Sequence, residues 1–317
     1  MSCVLAMPAL PAAAVSQLRK EFTVHVLPAS ARMSDLAGIR SGDIRGIATG
    51  GTKTGCGMLS HALFDQLPGL EIISSYSSGL DSIDTEAAAA RGIVVAHAPD
   101  VLAEPVADIA LALSLDIMRG VTAGDRYVRS GRWPREGNMP LATLAGGHTA
   151  GIIGLGRIGK AVARRLAACG MSIAYFGRKP QDVPYRYYAD LHDMAADSDL
   201  LLVCCPATPA TRNLVNAQVL QALGPEGFLV NVARGSIVDE PALIRALALK
   251  HIAGAGLDVC QNEPNPDPAL LALDNVIILP HLGASTVQTR QDMFDVMAGN
   301  LRLHFQGKPL LSPYRPA

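Results

Sequence analysis

The stretch Gly154-Leu155-Gly156-Arg157-Ile158-Gly159 decides the fold of this chain. It follows the apolar run Ala150-Gly151-Ile152-Ile153 and opens a segment in which Ile158, Val162, Leu166 and Cys169 recur at helical spacing. Strand, glycine turn and helix in that order make a GxGxxG string read as a dinucleotide-binding turn. Gly154 permits the tight turn, Gly156 lets the backbone approach a pyrophosphate, and Gly159 lets helix and strand pack closely. Arg157 and Ile158 open the helix, whose unpaired N–H groups and partial positive charge favour phosphate. The motif begins almost halfway along a chain of 317 residues, so another structure must precede it.

Working outward, short apolar runs alternate with helix-period stretches, the pattern of α/β architecture with parallel sheets. After a first strand and helix in the apolar N-terminus, strands are expected at 22–27, 44–48, 72–75 and 93–96, with helices over 60–66 and 85–91. A long helix is expected over 104–119, with Val106, Ile109, Ala110, Leu113 and Ile117 on one face and Gly120 as its stop. Six strands follow, at 149–154, 172–176, 200–204, 228–232, 253–257 and 276–279, which is the size of a Rossmann-type doubly wound sheet. The stretch 286–305 reads as a helix that cannot easily extend this sheet and crosses back onto the first unit. The expected fold is therefore two-domain α/β. A dinucleotide-binding domain covers 98–286, and a smaller, flavodoxin-like α/β substrate domain is discontinuous over 1–97 and 287–317.

Composition narrows the function classes. Hydrophobic residues at 49% and charged residues at 17% supply sizeable cores and exclude extended disorder. A formal net charge of -1 with no dense Lys/Arg block argues against nucleic acid or an anionic membrane as the main partner. No uninterrupted apolar run reaches the roughly 18 residues of a membrane span. Met1 to Val15 is apolar, but it lacks a basic n-region and is broken by Pro8 and Pro11, so it reads as the start of a soluble domain. The six cysteines, Cys3, Cys56, Cys169, Cys204, Cys205 and Cys260, form no CxxC spacing. No metal site is expected, and the cysteines read as reduced residues of a cytoplasmic protein.

In an NAD-binding unit, an acid about 20 residues beyond the glycines binds the ribose hydroxyls. Here the second strand of that unit ends Phe176-Gly177-Arg178-Lys179, so Gly177 stands where the acid is expected and two cations follow. Losing the carboxylate removes repulsion toward a 2′-phosphate, and a guanidinium pairs with that phosphate in bidentate fashion. The expected cofactor is NADPH/NADP+, with NADH possible. A solvated Arg-Lys loop is the competing reading.

Three further polar segments follow expected strands, where open α/β sheets bind their ligands. They are Asn231-Val232-Ala233-Arg234-Gly235; Gly256-Leu257-Asp258-Val259 leading to Asn262-Glu263-Pro264; and Pro280-His281-Leu282-Gly283-Ala284-Ser285-Thr286. Alone, each reads as ordinary surface or structural residues. Together with the glycine turn and Ser77-Ser78-Gly79-Leu80-Asp81-Ser82-Ile83-Asp84, they resemble the D-isomer-specific 2-hydroxyacid dehydrogenase family over nearly the whole chain. Within it, the cationic loop and the absence of a C-terminal regulatory extension look most like NADPH-dependent glyoxylate/hydroxypyruvate and hydroxyphenylpyruvate reductases.

The resemblance implies the roles. Arg234 would bind the carboxylate of a small 2-keto acid and polarise its keto oxygen. His281 would give that oxygen a proton during reduction to a D-2-hydroxy acid, and Glu263 would orient the imidazole and favour its charged form. Asp258 would meet the nicotinamide carboxamide, and Cys204, Pro206, Thr211, Val232, Ala233 and Gly283 would complete the cofactor site. Neither Cys204 nor Cys205 is read as a nucleophile. Ser78 and Gly79 would offer backbone N–H groups to the substrate. The loop Thr49-Gly50-Gly51-Thr52-Lys53-Thr54-Gly55 is a second candidate for substrate contact through Lys53, or a plain turn. Trp133, the single tryptophan, would reach the substrate pocket of the partner in a homodimer, or anchor its own loop. Two alternatives stay open: a sister dehydrogenase acting on another substrate such as phosphoglycerate, and a non-catalytic NAD(P)-sensing scaffold.

Overall fold

The computed structural model describes residues 1–8, 10–28, 41–50 and 59–315. The chain divides into two compact units, residues 1–102 with 286–317, and residues 103–285.

In the first unit, strands β1 (Cys3–Ala6), β2 (Thr23–Val26), β3 (Ile44–Thr49), β4 (Ile72–Ser75) and β5 (Val94–Ala96) form one parallel sheet in the order β2-β1-β3-β4-β5. This is the flavodoxin-like order. Val4, Ala6, Ala48 and Ile72 face the helices Ala12–Leu18 and Val287–Phe305, while Leu5, Ile47 and Ile73 pack against Leu63, Phe64 and Ala88 on the other side. A sheet covered on both faces needs apolar residues at successive positions, which is why its strands read as short continuous apolar runs. The helix Val287–Phe305 begins at Thr286, whose Oγ1 accepts from Thr289 N at 3.0 Å, a side-chain N-cap. After it the chain returns along β5: Ala96 bridges Pro313 in antiparallel sense, and Tyr314 N donates to Val95 O at 2.8 Å.

The second unit carries β6 (Thr149–Ile153), β7 (Ser172–Phe176), β8 (Arg186–Tyr188), β9 (Leu200–Val203), β10 (Phe228–Asn231), β11 (Gly254–Leu257) and β12 (Val276–Ile278). All pairs are parallel, in the order β12-β11-β10-β9-β6-β7-β8. Counted within the unit this is the Rossmann order 3-2-1-4-5-6 with a seventh strand added. The sequence leads to six strands, and the structure adds β8. That edge strand has three residues, follows the proline-containing stretch 180–185, and lacks the apolar run that marks its neighbours. It pairs with β7 and buries Tyr188, and the Arg186 guanidinium lies 4.4 Å from the Tyr188 ring centroid and 3.2 Å from Asp197.

Candidate active site

In the second sheet, strand order reverses between β6 and its two neighbours, β7 and β9, and ligands of open α/β sheets bind beyond the carboxyl ends at such a point. The sequence-predicted residues fall there strand by strand. Gly154–Gly159 follow β6, Gly177–Lys179 follow β7, and Cys204 and Pro206 follow β9. Val232–Arg234 follow β10, Asp258 follows β11, and His281 follows β12. The order of segments in the chain is thus translated into one row along a single sheet edge.

The glycine turn has the geometry its sequence requires. Gly154 sits at φ +95°, and a Cβ there would stand 2.7 Å from Cys205 Cα. A Cβ on Gly159 would stand 2.2 Å from Gly154 O, so helix Arg157–Ala168 can approach β6 only over a glycine. Gly156 differs: its Cβ direction meets nothing within 4 Å. Two glycines are demanded by packing, and the third keeps a backbone surface open at a helix N-terminus. These residues fit a bound dinucleotide pyrophosphate. Gly177 ends β7 with no carboxylate, and Arg178 and Lys179 are exposed with no hydrogen bond or ion pair to another described residue. Thr211 shapes the loop after β9, with its Oγ1 donating to Pro206 O at 2.8 Å and accepting from Thr208 N at 2.8 Å. Burial pushes the thiols of Cys204 and Cys205 up, to about 12 and about 11, so both stay protonated and unreactive.

Arg234, Glu263 and His281 come from three separate loops. His281 Nδ1 and Glu263 Oε2 are 2.7 Å apart, and Glu263 Oε1 accepts from Cys260 N at 3.1 Å. Burial alone would raise the Glu263 carboxyl. The His281 hydrogen bond and charge, the Cys260 amide and the Arg234 charge outweigh it and hold the group below its ordinary value. An ionised Glu263 fixes the imidazole tautomer with the proton on Nδ1 and leaves Nε2 as the nitrogen available for chemistry. His281 itself has φ +55°, a left-handed conformation in which His is among the better tolerated side chains. Its loop is clasped by buried Asp258, whose two carboxylate oxygens accept from Leu282 N at 2.6 Å and Gly283 N at 2.9 Å. Arg234 is presented by Asn231, which sequence reasoning left without a role. Asn231 is buried, its Nδ2 donates to Arg234 O at 2.9 Å, and its Oδ1 accepts from Ala233 N at 3.0 Å. An Asn closing a strand just before a turn is a known self-bonding position and was the available signal. Gly235 follows because a Cβ there would stand 2.1 Å from the Cys260 carbonyl carbon.

In the first unit, Ser78 and Gly79 lie in the turn after β4. Its carbonyls are tied back: Ser77 O accepts from Ala98 N at 3.0 Å, Ser78 O from His97 Nδ1 at 2.9 Å, and Gly79 O from Ser77 Oγ at 2.9 Å. The N–H groups of Ser78, Gly79 and Leu80 donate to no other described residue. Lys53, with Gly51, Thr52, Thr54 and Gly55, lies outside the described residues. Trp133 begins the short helix Trp133–Glu136 and is 54% exposed, its Nε1 3.4 Å from Asn138 Oδ1. It is therefore no buried anchor of its own loop.

Residues 111–283 match the family described as D-isomer specific 2-hydroxyacid dehydrogenase, NAD binding domain. The chain belongs to the D-isomer-specific 2-hydroxyacid dehydrogenase family. It is an NAD(P)-dependent oxidoreductase of that family by both sequence and fold. It is 48% identical over 252 residues to a hydroxyphenylpyruvate reductase of Plectranthus scutellarioides, covering 79% of this chain and 80% of the relative. It is 49% identical over 253 residues to a glyoxylate/hydroxypyruvate reductase A of Arabidopsis thaliana, with the same two coverages. Among solved structures, it is similar to an NADPH-dependent glyoxylate/hydroxypyruvate reductase from Sinorhizobium meliloti in complex with NADP and malonate. That similarity has a TM-score of 0.90 and 42% identity, and it covers 99% of each chain.

Within that family fold, the structure pairs the Glu263 carboxylate with the His281 imidazole and leaves the backbone of the glycine turn open at the N-terminus of helix Arg157–Ala168. No group of His, Cys, Asp and Glu among the described residues is arranged to hold a metal ion, and no helix among them is long and apolar enough to cross a membrane.

Proposed function

We propose that this dehydrogenase reduces a small 2-keto acid to the D-2-hydroxy acid with NADPH as the preferred donor. The 2.7 Å contact between Glu263 and His281, with Nε2 left over, is the observation that carries this reading. Nicotinamide supplies the hydride for the keto carbon when bound. His281 Nε2 gives the keto oxygen its proton, and in oxidation takes it back. Glu263 balances the charge that the imidazolium carries before transfer and keeps the ring oriented. Arg234 binds the substrate carboxylate and polarises the keto oxygen; a planar cation suits both tasks. The N–H groups of Ser78 and Gly79 are assigned to substrate recognition. Residues 98–286 are read as the dinucleotide-binding domain and residues 1–97 with 287–317 as the substrate domain. The pyrophosphate is held at Gly154, Gly156 and Gly159, and the rest of the cofactor by the loops bearing Cys204, Pro206, Thr211, Val232, Ala233 and Asp258.

Arg178 and Lys179, which pair with no other described residue, support NADPH over NADH beside the missing carboxylate. Trp133, exposed along with Leu141 and Leu144, supports a homodimer in which this arm is covered. Retention of a paired acid and imidazole favours turnover over nucleotide sensing alone.

The deciding experiment is an initial-rate matrix of glyoxylate, hydroxypyruvate and an aryl-pyruvate against NADPH and NADH. Turnover of at least one keto acid is expected, faster with NADPH; absence of turnover with all three overturns the catalytic reading. His281→Ala should lower kcat by roughly 10²–10⁴ while leaving the Kd for NADPH unchanged. Near-normal kcat removes His281 from the proton step. Arg178→Ala should weaken NADPH by about tenfold or more and NADH little, and an equal loss for both removes the phosphate contact.

A further inference from the structure

Two of the three groups that aim the turn at Ser77–Gly79 lie outside it. In a trans peptide, C=O and N–H of one unit point in opposite directions. Holding the carbonyls of Ser77, Ser78 and Gly79 therefore directs the N–H groups of Ser78, Gly79 and Leu80 the other way. One of the three ties is a backbone amide, Ala98 N from the loop after β5, and one is the turn's own Ser77 hydroxyl. The middle tie is the imidazole of His97, 19 residues away. A carbonyl only accepts, so His97 Nδ1 carries the proton in this bond.

His97 is itself gripped by the segment that follows the last helix. Its N donates to Ser312 O at 3.2 Å, its O accepts a short hydrogen bond from Ser312 Oγ, and its ring meets the Tyr314 ring edge-on at 5.9 Å. Asn300, fully buried in that helix, holds the segment in place. Its Oδ1 accepts from Leu311 N at 2.9 Å and Ser312 N at 3.3 Å, and its Nδ2 lies 3.2 Å from Ser312 Oγ. Polar contacts thus run without a break from Asn300 through Ser312 and His97 to the carbonyl of Ser78.

We propose that His97 is a positioning residue for substrate recognition, kept in place by the Leu311–Tyr314 segment, and that it aims the Gly79 N–H at the substrate carboxylate. This rests on the reading that the Ser78 and Gly79 amides receive that carboxylate. Without the imidazole, the Ser78–Gly79 peptide is free to rotate, and affinity for the acid falls while the cofactor site in the other unit is untouched.

Glyoxylate and its ethyl ester, which lacks the carboxylate charge, separate the two levels. The wild type should favour glyoxylate over the ester in kcat/KM by about tenfold or more, since hydrogen bonds to a charged group are the stronger kind. Equal use of both overturns carboxylate recognition itself; if glyoxylate is not turned over, the keto acid that is turned over and its ethyl ester take their places in every arm. Given that preference, His97→Ala should raise the KM for glyoxylate roughly three- to tenfold, with kcat and the KM for the ester little changed. The Kd for NADPH should also stay as it is. His97→Asn, which keeps an N–H donor near the same place, should restore the glyoxylate KM to within about twofold, a rescue that a space-filling role does not predict. Ser312→Ala, which leaves the imidazole in place and loosens its grip, should move KM the same way by less. An unchanged glyoxylate KM in His97→Ala, or equal loss in His97→Ala and His97→Asn, overturns the role of His97. Should His97→Ala fail to fold, an unchanged KM in Ser312→Ala does so alone.

Discussion

Two turns in this molecule present backbone N–H groups, and they are built on opposite principles. The turn Gly154–Gly159 works by exclusion: Gly154 and Gly159 stand where a Cβ would collide with neighbouring backbone, and Gly156 stands where one would meet nothing. The turn Ser77–Gly79 works by attachment, with three carbonyls each bound to a different donor. The first needs only six residues and the backbone of Cys205 against Gly154. The second is assembled from Ser77, His97 and Ala98, with Ser312 behind them. A turn shaped by exclusion fails abruptly when a single atom is added. A turn shaped by attachment weakens in steps.

That contrast can be broken at three places. The largest effect is expected from Gly159→Ala. Its Cβ, placed 2.2 Å from Gly154 O, must push the helix away from β6. The expected cost is about 1–3 kcal/mol of stability, with NADPH affinity reduced by about a hundredfold, read by a thermal melt and a fluorescence titration. Retention of both would show that the helix need not sit so close. An intermediate effect is expected from Gly156→Ala, which separates packing from binding. The backbone there (φ −79°) suits alanine and the space is empty, so Tm should stay within about 2 °C. NADPH affinity should still drop by about tenfold, because the methyl group occupies the face offered to phosphate. Full affinity would move the pyrophosphate elsewhere. The smallest effect is expected from Ser77→Ala, which removes one tie of three. The keto-acid KM should rise by about threefold with NADPH binding intact, and a loss of all activity would mean that the turn is not built in steps.

The same contrast explains what could be read from the sequence. The glycine turn, its strand and its helix are legible because one short string carries both the conformation and the reason for it. Most strands of the two sheets are legible because they are apolar runs buried on two faces, as in Val4-Leu5-Ala6 and Leu200–Val203. Strand β8 is not, because it has three residues and only one of them, Tyr188, is buried, so no apolar run marks it. Arg234, Glu263 and His281 are legible as types following strands. What stays hidden is who holds them. Asp258 reads as a ligand contact, yet both its oxygens bind the backbone of the His281 loop some two dozen residues later. His97 and Asn300 give no local signal either, since their partners lie 19 and 11 to 12 residues away. Spacing reveals chemistry that sits beside a strand end. It does not reveal the supports that arrive from elsewhere in the chain.

The antiparallel bridge between Ala96 and Pro313 has a consequence for the solution behaviour of the protein. β5 is an outer strand of the first sheet, and an outer strand is a template on which a second chain can pair. Here the template is already taken by Ser312–Tyr314, and the occupying residue is a proline, which has no N–H to pass the ladder on. The segment therefore closes the sheet against its own kind. A chain shortened before Leu311 would bare that edge and be prone to self-association, so solubility, more than activity, is the first property to watch when the C-terminus is cut or fused.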